Sequence, residues 1–133
     1  MFDFAPMANL EVVDYSHNEI SVIENVCFNP YLKHLVLDDN KIKKIEGLTS
    51  NKSLTSLSLR QNEIDRIWNL DDLMLEELNL SQNSIRRIAG LDRLPCLKEL
   101  DLSKNHIMKL RGLEGIQSLR ILNLSLNNVV KVL

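Results

Sequence analysis

A frame of leucines that returns about every 22 residues constrains this chain more than any other feature. Leu10, Leu32, Leu54, Leu75, Leu97 and Leu119 open successive coils, at steps of 22, 22, 21, 22 and 22 residues. Each opening leucine is followed by a pair two apart: Val13 and Tyr15, Leu35 and Leu37, Leu57 and Leu59, Leu78 and Leu80, Leu100 and Leu102, Leu122 and Leu124. An asparagine comes next in every coil, at Asn18, Asn40, Asn62, Asn83, Asn105 and Asn127, and then an aliphatic pair such as Ile42 and Ile45. Neither a 3.6-residue helical stripe nor a plain two-residue alternation produces this spacing. A fixed period of this length is the signature of a solenoid, in which each repeat buries its apolar side only against its neighbours.

The spacing dictates the local geometry. Leu35 and Leu37 point to one side of a short strand and Val36 to the other, because side chains alternate across a strand. Equivalent strands of successive coils stack in parallel at about 4.8 Å, with a core face and an open concave face. The asparagine amide can both donate to and accept from the backbone of adjacent coils, so the six are expected to form a hydrogen-bonded ladder. Asn25, Gly47, Asn69, Gly90 and Gly112 form a further column, made only of the two residue types that most readily accept positive φ. The return limb is short and carries no helical stripe, which predicts turns and 3₁₀ segments on the convex side. The third full coil lacks one residue between Leu70 and Leu75, a deletion that a convex loop can absorb. The crossover rule for parallel strands makes the coil right-handed.

The pattern L-x-x-L-x-L-x-x-N-x-I-x-x-I resembles the leucine-rich repeat, and the expected fold is an α/β leucine-rich-repeat solenoid with a curved parallel sheet. The motifs NKIKKIEGL, NSIRRIAGL and NHIMKLRGL resemble its 22-residue class, which includes the nuclear regulatory subunit of protein phosphatase one, axonemal dynein light chain one and the U2 small-nuclear-ribonucleoprotein A-prime protein. The stretch FDFAPMANLEVVDYSHNEIS, the shortened coil ending LDDLMLEELNLSQNSI and the order of the coils resemble the repeat region of the leucine-rich repeat and guanylate kinase domain-containing family. That likeness implies a role in sperm-tail, cilium or cytoskeletal assembly, with microtubule-associated partners. It carries over no nucleotide activity, since the phosphate-binding loop of a kinase-like domain is absent. The Tyr-Arg-containing cap of the class is missing after the last coil.

Residues 1–133 are expected to form one repeat domain of five full coils with partial coils at both ends. Counting back from Leu10, Phe4 and Met7 take the places of Leu48 and Asn51, and Met1 falls on an isoleucine position. The chain stops at Leu133, just after Val132 takes the second isoleucine position. Solenoids normally carry polar caps. A piece of a longer protein is therefore the favoured expectation, with end-to-end stacking of open coils as the competing one.

Function is read from surfaces, because no catalytic arrangement stands out. The chain has no G-x-x-x-x-G-K-S/T loop, no H-E-x-x-H, no C-x-x-C and no G-x-S-x-G. No enzyme activity, cofactor or metal is expected. His17 falls beside Asp39 of the next coil, most simply as a surface ion pair. The net charge of −2 gives no reason to expect nucleic acid or an acidic membrane surface, and no apolar run approaches the length of a membrane span. Cys27 and Cys96 are no disulfide framework. Asn51, Asn79 and Asn123 each begin an N-x-S triplet, but the repeat puts the last two on strands of a packed sheet. The triplets are read as accidental and the compartment as cytoplasmic.

Two partner surfaces are expected. The concave columns contain His34, Val36, Asp38, Ser56, Ser58, Arg60, Glu77, Asn79, Glu99 and Asp101, with Glu77, Glu99 and Asp101 as an acidic patch for a basic segment of a protein partner. The second is a basic rim of Lys44, Arg66, Arg87 and Lys109, with Trp68 beside it. Neighbouring charges there repel by about 0.8 kcal/mol at about 5 Å in water, a cost that an acidic tail would relieve. Nucleic acid fits the row less well, for want of interleaved aromatics. A homo-oligomer through the open ends and an RNA-associated repeat protein are the alternatives.

Overall fold

The structure is a computed structural model and describes residues 7–132. Six three-residue strands, β1 (Val12–Asp14), β2 (His34–Val36), β3 (Ser56–Ser58), β4 (Glu77–Asn79), β5 (Glu99–Asp101) and β6 (Ile121–Asn123), form one parallel sheet in chain order. The fold is a leucine-rich-repeat solenoid of about five turns. Register follows the leucine frame: Leu35, Leu57, Leu78 and Leu100 stand side by side at the strand centres and are buried. A three-residue strand cannot persist alone. Its stability comes from the coil on either side and from the aliphatic column behind it.

That column is continuous. Leu37, Leu59, Leu80 and Leu102 lie behind the strand leucines, and Ile42, Ile64, Ile85 and Ile107 fill the far side of the turn; all eight are buried. The outermost coils are less covered, with Tyr15 38%, Leu122 38% and Leu126 71% exposed.

The asparagine column joins coil to coil. Asn83 Nδ2 donates to the carbonyls of Leu59 in the preceding coil (2.9 Å) and of Leu80 and Ser81 in its own coil (both 3.1 Å). Its Oδ1 accepts from the Ile64 N–H at 3.0 Å. Asn40, Asn62, Asn105 and Asn127 repeat the pattern, each accepting from the isoleucine N–H of the preceding coil at 3.0 Å. Burial is uneven. Asn40, Asn83 and Asn105 are buried, whereas Asn62 and Asn127 are half-buried. Asn18 is exposed and donates only to Tyr15 and Ser16 of its own coil.

The turns are left-handed where the glycine and asparagine column predicts them, with φ of 65° at Asn25, 75° at Gly47, 60° at Asn69, 75° at Gly90 and 94° at Gly112. A Cβ on Gly47 would lie 2.8 Å from the Ile23 carbonyl oxygen. At the equivalent place Asn69 instead donates its amide to the Ile45 carbonyl at 2.8 Å, which offsets the conformational cost. A second left-handed column precedes the ladder asparagines: His17, Asp39, Gln61, Gln82, Lys104 and Leu126, with φ between 53° and 58°. Its residue types carry no signal of this. The backbone demands it, because the first five of these N–H groups donate to the next coil at 2.9–3.0 Å.

Among the described residues the convex side consists of turns, with a 3₁₀ segment at Val26–Phe28. The missing residue of the third coil is absorbed there. Asp72 turns at φ 64°, its N–H donates to the Arg93 carbonyl at 2.9 Å, and its carboxylate pairs with the Arg93 guanidinium. Strand register is untouched, with Leu57 still opposite Leu78. Asn51 of the first N-x-S triplet is fully buried, its Nδ2 donating to Val26 and Asn29 carbonyls, so the folded chain does not present it to solvent. Among the described residues no helix is long and apolar enough to cross a membrane. The counts that fall on Met1, Phe4 and Leu133 lie outside the described residues.

Asn83→Ala should destabilise the protein by about 1–3 kcal/mol in urea unfolding, because it orphans the buried Ile64 N–H and leaves the Leu59 carbonyl only its bond from Asn62. Asn18→Ala, which touches only its own coil, should cost less. Gly47→Asn should be tolerated better than Gly47→Ala, since alanine adds the Cβ at φ 75° without the amide that Asn69 uses.

Candidate functional site

The concave face is built by the outward residues of the strands. Parallel register sets His34, Ser56, Glu77, Glu99 and Ile121 in one column and Val36, Ser58, Asn79, Asp101 and Asn123 in the next. Ser56, Ser58, Glu77, Asn79, Glu99 and Asp101 line one shallow depression of about 390 Å³. His34, Val36 and Asp38 lie outside it in the coil of β2, and Arg60 lies outside it just beyond the end of β3. Ile121, 57% exposed, and Asn123 complete the depression at its edge.

Just beyond the strands the face is free only in part. Ser81 and Ser103, which continue the outward alternation of β4 and β5, are buried. The cause is a short loop of hydrogen bonds at the ends of β4, β5 and β6. Asn79 Oδ1 accepts from the Ser81 N–H (3.0 Å) and hydroxyl (2.7 Å). Asp101 does the same for Ser103 (2.9 and 2.6 Å), and Asn123 for Ser125 (3.0 and 2.7 Å). These are Asx turns, in which a short side chain replaces a backbone acceptor.

In the coil of β3 the residue at this place is Ser58, which cannot serve. Asp38 of the preceding coil reaches across instead, and its Oδ1 accepts from the Ser58 hydroxyl (2.5 Å) and the Arg60 N–H (2.9 Å). Arg60 in turn donates to the Gln82 amide oxygen at 3.1 and 3.2 Å, with that amide turned to face it. Asp38, Arg60 and Asp101 are therefore engaged in holding the face together.

Asp14 opens the same motif in the first coil. Its carboxyl is held below the usual aspartate range by the Ser16 hydroxyl and then by the Ser16 N–H, which lies at 2.8 Å. Nearby, His17 Nδ1 and Asp39 Oδ2 approach to 2.7 Å, with His17 exposed and Asp39 half-buried.

Glu77 and Glu99 differ from these acids. They are register partners on adjacent strands, both are exposed, and among the described residues neither has an ion-pair partner. Their neighbours in sequence, Glu76 and Lys98, pair with each other at 2.5 Å and leave them aside. The acidic patch read from the sequence thus resolves into two free carboxylates and one, Asp101, that holds a turn.

The basic rim is assembled on the limb after the turn. Lys44, Arg66, Arg87 and Lys109 are all exposed. Trp68 is 40% exposed, with Lys44 Nζ 5.0 Å and Arg66 Cζ 5.8 Å from its ring centroid. Among the described residues no group of three or more His, Cys, Asp or Glu could hold a metal ion.

Asp101→Asn should leave stability within about 0.5 kcal/mol, because Asn79 and Asn123 perform the same turn with an amide oxygen. Asp101→Ala should lower the unfolding midpoint. Ser16→Ala should bring the Asp14 titration, followed by NMR, back up toward the ordinary aspartate range. Because folding lowers the Asp14 pKa, its contribution to stability is present above the unfolded value and fades as pH falls through the folded one.

Two family models match the chain: one described as leucine rich repeat over residues 8–64, the other as leucine rich repeats in two copies over residues 74–115. No curated protein sequence matches it significantly. Among solved structures it is similar to a leucine-rich repeat protein of Leptospira interrogans, with 28% identity and a TM-score of 0.82, over 91% of this chain and 32% of that one. An internalin of Listeria monocytogenes, InlF, matches with 27% identity and a TM-score of 0.79, over 97% of this chain and 46% of that one. The functional domain of the Listeria protein InlJ shares the fold at 23% identity and a TM-score of 0.79, with 99% of this chain and 29% of that one covered. The chain thus spans less than half the length of each of these structures. The two repeat matches, the stacked parallel strands and these neighbours agree, and the chain is a leucine-rich repeat protein.

Proposed function

We propose that this protein is a non-enzymatic interaction module whose concave face receives a basic segment of a partner protein. The observation that carries this reading is the adjacent pair Glu77 and Glu99, exposed, like-charged and without ion-pair partners among the described residues. Two carboxylates one strand apart repel each other, and a lysine or arginine placed between them relieves that repulsion. The small neighbours Ser56, Ser58 and Asn79 leave room for the backbone of such a segment to lie close. Concave faces of solenoids are extended surfaces suited to this task.

The motifs NKIKKIEGL, NSIRRIAGL and NHIMKLRGL support placing the chain in the 22-residue class. The resemblance to the repeat region of the leucine-rich repeat and guanylate kinase domain-containing family supports a cytoplasmic setting with a ciliary or cytoskeletal partner.

A fluorescent peptide of alternating lysine and serine tests the concave assignment. Its anisotropy should rise on binding, and Glu77→Lys with Glu99→Lys should weaken binding by about tenfold or more. The far-UV circular dichroism should not change, since both side chains are exposed. Asp101→Asn should have the smaller effect. Unchanged peptide binding by the folded double variant would remove the concave assignment.

A further inference from the structure

The rim beside Trp68 combines three features. Arg66, Arg86 and Arg87 are exposed and, among the described residues, have no ion-pair partner. Trp68 is held with Lys44 and Arg66 near its ring, at 5.0 and 5.8 Å from the centroid, and so is positioned by cations. In the next coil the place of Trp68 is taken by Ala89, whose small side chain leaves the ground beside the indole open. A groove of about 840 Å³ results, with Trp68 and Ala89 as its apolar ground and Arg66, Arg86 and Arg87 around it.

From this geometry we infer that the groove is a second docking site, for an acidic protein segment carrying one apolar side chain. The apolar residue lies over Ala89 against the indole, and flanking carboxylates meet Arg66 and Arg87. Charge complementarity selects the occupant. Guanidinium groups suit carboxylates because their planar donors can engage both oxygens. Glu63 and Asp65 also line the groove. Lys43 approaches Glu63 to 3.9 Å, but Asp65 would repel an unbroken run of phosphates. A single aromatic offers no stack for successive bases. Discrete carboxylates around an apolar anchor fit the groove better than a nucleic-acid backbone does. The site is separate from the concave acids and takes the opposite charge.

Trp68 is the only tryptophan of the chain, so its emission reports the groove directly. The 133-residue protein is titrated with a synthetic peptide of glutamates flanking a central leucine. A saturable change in Trp68 emission is expected, weakening as salt is raised. Arg66→Glu with Arg87→Glu should weaken binding by about tenfold or more, and exchanging the central leucine for serine should weaken it by a smaller factor. Glu77→Lys with Glu99→Lys should not weaken it, which separates failure here from failure of the concave reading. Arg66→Ala with Arg87→Ala gives a milder control, and thermal unfolding checks that each variant is folded. The inference is overturned by any of four results: no saturable change, equal binding by the folded arginine variants, equal binding of a lysine counterpart peptide, or tighter binding of a uridine oligonucleotide.

Discussion

Everything in this structure depends on an asparagine amide that closes its own turn and grips the coil before it. The side chain suits the place because it carries donors and an acceptor on one short stem. Nδ2 of Asn105 reaches Leu80, Leu102 and Ser103 carbonyls while Oδ1 takes the Ile85 N–H. Aspartate would supply no donor, and glutamine would place the group one carbon too far. A net hydrogen bond is worth only about 0.5–1.5 kcal/mol, whereas an orphaned buried group costs about 1–3 kcal/mol. The ladder's larger effect is therefore to forbid other registers: a slip by one residue would bury an unpartnered amide in each inner coil. Three-residue strands become sufficient because they need not define their own alignment.

The same economy of short polar side chains shapes the concave face. At the strand ends Asn79, Asp101 and Asn123 hold serines in Asx turns, and where the motif is broken at Ser58, Asp38 of the neighbouring coil restores it. Charge on this face is thus of two kinds. Asp38 and Asp101 are consumed by backbone and hydroxyl donors. Glu77 and Glu99 have longer side chains, open their strands rather than close them and are not drawn into those turns. An acidic cluster counted residue by residue overstates what a partner can use.

The fold was legible in the sequence because each level of it has one chemical cause with one residue type. Leucines two apart gave the strands, the asparagine gave the ladder, and the Gly or Asn column gave the left-handed turns at Asn25, Gly47, Asn69, Gly90 and Gly112. The second left-handed column was not legible, because His17, Asp39, Gln61, Gln82, Lys104 and Leu126 share no property. There the hydrogen bonds of the extended ladder impose the conformation, and the side chains only tolerate it. The buried asparagines of the convex side, Asn29 and Asn51, were likewise missed, since they occur in two coils only and leucine or isoleucine replaces them at Leu94 and Ile116. The positions of the surface columns were readable from the period. Which of their charges are engaged was not, because that depends on contacts such as Asp38 with Ser58 that join different coils.

Net charge conceals how the charges of the surface are sorted. The total of −2 describes a nearly neutral protein, yet the solenoid sorts its charges by position in the repeat. A residue type that recurs at one place in the 22-residue period becomes a row along the axis, because the period turns sequence spacing into stacking. Acids at the first outward strand position of two coils therefore meet as Glu77 and Glu99, and cations before the second isoleucine position line up as Lys44, Arg66, Arg87 and Lys109. Opposed fields on two sides of one thin coil would orient a charged partner more than they bind it, since complementarity governs encounter and register more than raw affinity. Repetition that evolved to close a core thus also arranges the surface, and a change of one residue in one coil alters one rung of a field without disturbing the leucines behind it.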